Sequence, residues 1–343
     1  GEGNHGEDAK EYWWALDGTP THSWMTWLYR YPQAEYPYEG LREASRARTR
    51  MDREFELADT GVLDENRFFD VVVTYAKASP DDVCIVVDVT NHGPEAASVD
   101  VVPHLWLRNT WSWGRDDRTA SIVDVTADAL PGDMAVVRAE HGFLGRYHLA
   151  AQGDARVLFC DNETNAVELF GAEQNLSAWP KDGIGRRIVE GDESAVNPDG
   201  TGTKSAFWYS LDDVGPGETR SIRLRLSTAV PDSFTFGPGF DAVLADRRYE
   251  ADQFYDHVIG PDLSAADRHV ARRAYAGLLW CKQLYRYDVR EWAQGDPVGA
   301  SAPQSRLDGT ARNHAWSHFS LADVVSMPDE WEYPWFAAWD LAF

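Results

Sequence analysis

Lysine is nearly missing from this chain: five of its 32 basic residues are Lys and the others are Arg. Cysteine is scarce too, with Cys84, Cys160 and Cys281 far apart and odd in number. That pattern excludes a disulfide framework and a CxxC metal site, and it favours a reducing compartment. No apolar run reaches the roughly 18 residues needed to span a bilayer. No charged-then-apolar leader opens the chain. It starts at Gly1 rather than Met, so a lost leader stays open, and a cytoplasmic location is the expectation. Basic charge is what the sequence most lacks. With 56 acids the formal net charge is −24. Phosphate backbones and anionic membranes both need a basic footprint, so nucleic acid and membrane surfaces are excluded as expected partners. Excess acid with few lysines fits either a salt-rich cytoplasm, where self-repulsion is screened, or a GC-rich genome.

Apolar residues make up 43% of the 343 positions, enough for a real core and too many residues for one small one. Residues 65–230 read mainly as strands. "FFDVVVTYAKA" (68–78) and "DVCIVVDVTNHGPE" (82–95) are β-branched runs ended by turn residues, and "SVDVVPHLWLRNTW" (98–111) alternates. "RVLFCDNETNAVELFG" (156–171) reads as a hairpin, and 204–230 as two strands around a Gly-Pro-Gly turn. Many strands at short intervals without helices between them predict antiparallel sheets packed as a sandwich. The period then changes. Residues 241–260 read as a helix. A second helix comes next, with Ser264 as N-cap and Val270, Ala274, Leu278, Cys281 and Tyr285 at helical spacing. Residues 286–328 are irregular and polar and read as a long functional loop. Pro334 suits the first turn of a last helix. The expected fold class is therefore β then α: an N-terminal antiparallel β-sandwich over 1–235, then helices over 236–343 that are too few to close a core. A C-terminal truncation is expected on that ground.

The candidate site gathers at the end of the chain. Residues 330–343 hold three Trp, one Tyr and two Phe, and after Pro334 a single acid, Asp340, sits in apolar company. A carboxylate in apolar company is partnered, protonated or functional. An apolar pocket raises a carboxyl pKa, which suits a general acid; a cap or an Arg partner is the plainer role. Trp331, Tyr333, Trp335 and Trp339 crowd the same stretch, and amphipathic rings match the C–H faces and polar edges of sugars. Core packing is the alternative use, above all for Trp339. "ARNHAWSHF" (311–319) adds Arg312, Asn313, His314 and Trp316 as substrate-binding candidates. His314 and His318 stand at i,i+4, but the HExxH acid is missing, so zinc is not expected. No motif calls for a metal or an organic cofactor. "GEGNHG" (1–6) matches GxGxxG without a preceding strand and is rejected as a dinucleotide site. The sequons at Asn162 and Asn175 matter only in a secreted protein.

Four stretches carry a resemblance: 2–33, "HLWLRNTWSWG" (104–114), "AYAGLLWCKQLYRYDVREWAQGDP" (274–297) and "SMPDEWEYPWFAAWDLAF" (326–343). Together they resemble bacterial and archaeal proteins described as glucosidases, related to glycoside hydrolase family 63 and to mannosylglycerate hydrolases. The resemblance implies a β-sandwich followed by an (α/α)6 barrel of six helical hairpins, of which this chain would hold only the first part, with further residues before Gly1. It implies inverting hydrolysis of an α-glycosidic bond, with the Asp of a Trp-Asp motif as general acid. Trp339-Asp340 matches that motif. The general base would be a carboxylate later in the barrel, outside this chain, leaving the piece inert alone. Glu332 does not fill the role: eight residues at a helical rise of about 1.5 Å each place it about 12 Å from Asp340, whereas an inverting pair sits roughly 6.5–9.5 Å apart. Relatives carry Gly where this chain has Ala311, which puts the loop's backbone shape in question. Two rival readings stay open: a non-catalytic carbohydrate-binding protein, and a phosphorolytic enzyme that uses phosphate in place of water. Sugar identity, linkage and oligomeric state are not fixed by the sequence.

Overall fold

The computed structural model describes residues 11–114, 120–126, 133–295, 297 and 301–326. Thirteen strands build two sheets. They are β1 (Tyr12–Gly18), β2 (Trp24–Pro32), β3 (Phe68–Ser79), β4 (Asp82–Asn91), β5 (Ala97–Val101), β6 (His104–Trp106), β7 (Ala120–Asp124), β8 (Met134–His141), β9 (Gly145–Gln152), β10 (Arg156–Cys160), β11 (Thr201–Gly202), β12 (Lys204–Val214) and β13 (Thr219–Ser227). The large antiparallel sheet has the order β1-β2-β3-β4-β13-β9-β8-β7-β11. The small one has the order β10-β12-β5, with β6 also paired to β12. Phe69, Val89, Val137 and Leu224 from the large sheet meet Phe159, Phe207 and Tyr209 from the small sheet in one core. This is a β-sandwich.

Both outer faces are covered as well. Along β8, Ala135, Val137 and Ala139 enter the inter-sheet core, while Val136 packs outward with Val125 and Ala150. A strand buried on both sides loses the polar half of its alternation. Outside the small sheet, α3 (Gly183–Val189) sets Ile184 against Leu158, Cys160 and Ala206. Outside the large sheet, α4 (Pro238–Val258) begins with Pro in its first turn and buries Ala251 against Trp24 and Ala76.

The two strands expected within 204–230 exist, but they enter opposite sheets. The corner is held by Asn91, which is fully buried. Its amide donates to the Val214 and Glu95 carbonyls at 2.7 and 2.8 Å, and its oxygen accepts from Gly93 N–H at 2.8 Å. A buried amide with its donors and acceptor used fixes a corner without an unpaired group. The hairpin expected over 156–171 is half a strand: after β10 the chain forms α2 (Ala166–Phe170), because Asn165 caps the Glu168 N–H at 3.2 Å.

The helical half differs most from expectation. The start of an (α/α)6 barrel, with its six-hairpin architecture, is overturned by the described residues. Helix α4 docks on β2, β3 and β4, and α5 (Ala265–Trp280) docks on β1. The chain then returns to strand, with β14 (Lys282–Asp288) pairing β15 (Ser320–Ser326). Beyond the sandwich, then, come two helices laid on a mostly antiparallel β protein, and after them another β-hairpin. Ser264 does cap α5, accepting from Asp267 N–H at 3.1 Å. The apolar stripe expected on α5, however, lies on its open face. Val270 is 66% exposed and Leu278 48%, and Tyr285 belongs to β14. The face on the sandwich is Arg272, Ala276 and Trp280, also at i,i+4 spacing. Arg272 grips Asp17 through two N–H···O bonds of 2.9 and 2.5 Å and reaches Asp252 at 2.7 Å. Trp280 donates to the Asp17 carbonyl at 3.2 Å. An ion pair in the seam carries no hydrophobic signal, so periodicity pointed to the wrong face.

Candidate functional site

The predicted loop is a folded insertion between β14 and β15. Seven register pairs, Lys282↔Ser326 to Asp288↔Ser320, run without a bulge. Val289 N–H donates to Phe319 O at 3.1 Å and closes the base of the insertion. Asp288 caps α6 (Val289–Gln294), accepting from Glu291 N–H at 2.9 Å. That backbone donor, then the Ser320 side chain, holds the Asp288 carboxyl below the usual range. Tyr287 stands at the centre, its ring 6.4 Å from Trp292 and 6.2 Å from Phe319. Across from it lies α7 (Gln304–Leu307), whose Arg306 covers the Trp292 ring at 4.6 Å and donates to the Trp292 carbonyl at 3.1 Å.

Arg312, Asn313, His314 and Trp316 come after α7 on one short turn, and all four are exposed. Ala311 N–H donates to Ser305 O at 2.7 Å. Ala311 keeps a negative φ, so the alanine found where relatives carry glycine costs no strain. The left-handed residue is Asn313, at φ +69°, a conformation asparagine tolerates better than most. Its amide donates to Tyr287 OH at 3.3 Å, which ties the turn to the aromatic base. His314 Nδ1 lies 3.1 Å from Ala311 O. Trp316 is 58% exposed, and its ring centre is 5.8 Å from that of His318. Among the described residues no cluster of His, Cys, Asp and Glu has the arrangement to hold a metal. Chemically, the turn offers a forked cation, an amide, an imidazole and a flat indole to solvent, on a supported backbone.

Trp331, Tyr333, Trp335, Trp339 and Asp340 lie outside the described residues. Sequence reasoning passed over Tyr287, which bonds Asn313 of the turn, and Trp292 and Arg306, which pack beside Tyr287 and on each other. The aromatic spacing of "YRYDVREW" was the available signal.

The stretch "HLWLRNTW" has a structural partner. Trp111 Nε1 donates to Glu163 Oε1 at 2.6 Å, Asn109 donates to Asn162 O at 2.9 Å, and Asn162 donates to Leu107 O at 2.9 Å. Both sequon amides are used internally: Asn162 as stated, and Asn175 on Asn165 Oδ1 at 2.9 Å. Burial pushes the Cys84 thiol up to about 11 and Cys160 to about 12, so neither is a nucleophile at neutral pH.

No known family profile matches the chain. The uncharacterized protein YMR196W of Saccharomyces cerevisiae is 33% identical over an alignment that takes in the whole of this chain and 35% of that protein. The chain thus spans about a third of the length of that relative. A solved Escherichia coli K12 structure with the provisional name aldose 1-epimerase aligns with 63% of this chain and 67% of its own, at a TM-score of 0.28 and 9% identity. Among the described residues no helix is long and apolar enough to cross a membrane.

Proposed function

We propose that this protein binds sugars and hydrolyses an α-glycosidic bond with inversion, using the turn at 312–316 as part of its substrate surface. The observation that carries this reading is the exposure of Arg312, Asn313, His314 and Trp316 on a turn tied to Tyr287 through the Asn313 side chain. An exposed indole on a rigid support suits the apolar face of a pyranose, and neighbouring N–H donors suit its hydroxyls. A pre-ordered turn also loses little conformational entropy when ligand binds.

In this reading Asp340 protonates the leaving oxygen, and its apolar neighbours in sequence keep it protonated until needed. The second carboxylate, which activates water on the opposite face of the ring, is expected outside this chain. Its separation from Asp340 would be roughly 6.5–9.5 Å. The test is to incubate the full-length protein with α-glucosides and α-mannosides and follow the anomeric proton of released sugar by NMR. First release of the β-anomer, abolished by Asp340→Asn, is the expected result. Turnover that survives the substitution would remove Asp340 from the role of acid.

A second reading, non-catalytic carbohydrate binding, is favoured by one feature: the described turn residues are binding groups and none is a carboxylate. Saturable sugar binding without turnover, unchanged in Asp340→Asn, would favour it. The phosphorolytic alternative requires cleavage that depends on added phosphate.

A further inference from the structure

A cavity of about 730 Å³ lies on the outer face of the small sheet, beside α3 and far along the chain from the turn at 312–316. Strand register sets its wall. Ala206 pairs with His104, and Lys204 lies two residues before Ala206, so the two polar side chains share the outward face. Asp100 pairs with Ser210 and adds a carboxylate and a hydroxyl to the same wall. Lys181 enters from the loop before α3, and the Lys204 ammonium donates to its carbonyl at 3.1 Å. Val102, Ile184 and Ile188 give an apolar floor.

Two of the five lysines in the chain therefore line one cavity. In a protein of net charge −24 most cations are expected beside acids, and many arginines here are. Among the described residues neither Lys181 nor Lys204 has a carboxylate within ion-pair distance. Asp182 also lines the cavity, its Oδ2 accepting from Asn165 Nδ2 at 2.9 Å. Desolvation of the His104 ring first, and then the Lys204 charge, push the His104 pKa down to about 4. Asp100 is partly engaged, its Oδ1 accepting from Trp208 Nε1 at 2.7 Å, which leaves Oδ2 for a hydroxyl. Unpaired ammonium groups call for an anion, a carboxylate and serine call for hydroxyls, and an aliphatic floor calls for C–H groups.

We propose that this cavity binds a monosaccharide bearing an anionic group, with the anion on Lys181 and Lys204 and the hydroxyls on Asp100 and Ser210. The site stands apart from the glycosidase reading, since it uses none of the residues assigned to catalysis.

Calorimetry at fixed ionic strength tests it, with glucose 6-phosphate, glucuronate, glucose and inorganic phosphate as probes. At least one anionic sugar is expected to bind tenfold or more tightly than glucose and than phosphate, and which one identifies the anion. Lys181→Gln is expected to weaken it at least tenfold; among the described residues the Lys181 ammonium makes no hydrogen bond, so the fold is spared. Asp100→Asn is expected to weaken the sugar anion without weakening phosphate. Amide shifts in the labelled wild-type protein at Gly185, Val189 and Ser210 give a readout that needs no variant. Phosphate binding as tightly as the better-bound sugar anion would reduce the site to an anion trap and overturn the proposal. So would glucose binding as tightly, amide shifts confined to other regions, or no binding by any probe.

Discussion

Two antiparallel strand pairs in this protein have the same hydrogen bonding and opposite surroundings. In the sandwich, β8 and β9 run in register from Met134↔Gln152 to His141↔Gly145, and Val136, Val137 and Ala150 have no measurable exposure. In the insertion hairpin, β14 and β15 pair just as regularly, yet the cross-strand partners Leu284 and Val324 are 49% and 62% exposed. Backbone pairing is therefore not what separates the scaffold from the candidate site; side-chain burial is. Net stabilisation from backbone hydrogen bonds is modest, whereas each fully buried large apolar side chain contributes roughly 1.5–3 kcal/mol. The sandwich holds the molecule together. The hairpin presents residues to its surroundings.

That contrast can be broken at several strengths. Phe207→Ala opens a void where both sheets meet, and a loss of about 3–5 kcal/mol is expected, read from urea unfolding. Arg272→Ala leaves Asp17 without its partner in the seam between α5 and β1. About 2–3 kcal/mol is expected by the same measurement, below the range for a fully buried pair because both groups still touch water. His104→Gln acts through pH. The folded pKa is depressed to about 4 against 6.5 for the free side chain, so between those values the unfolded chain binds a proton that the folded one does not. Wild-type stability therefore contains a part that is present above pH 6.5 and lost as pH falls toward 4. The difference between wild type and variant, followed by melting across roughly pH 4–7, should show that slope. Val324→Thr, on the exposed hairpin, should stay within about 0.5 kcal/mol of wild type. A cost of several kcal/mol there would show the hairpin to be part of the core.

The sequence was most readable where the chain buries apolar groups in alternation. The runs at 68–78 and 82–95 became β3 and β4 with nearly the expected bounds, since β-branched repeats ended by turn residues admit few other structures. It misled where polar groups do the holding. The α5 seam is built on Arg272 and Asp17, so the apolar stripe at Val270 and Leu278 fell on the open face. The barrel expectation failed for a related reason: it rested on a resemblance together with a change of period, and period alone does not say what a helix packs against. At the candidate site, the turn residues Arg312 to Trp316 were visible as an unusual polar and aromatic cluster. Their support was not, because Tyr287 meets Asn313 through a tertiary contact 26 residues apart in sequence.

If the exposed turn at 312–316 binds sugar while contributing little to the fold, its indole can be removed without cost to stability. The decisive experiment is to titrate wild type and Trp316→Ala with α-glucosides and α-mannosides, recording binding by calorimetry and folding by thermal melting. Saturable binding to the wild type, lost in the variant at an unchanged melting temperature, is the expected result. Binding that survives Trp316→Ala, or a variant that no longer folds, would contradict that role for the turn.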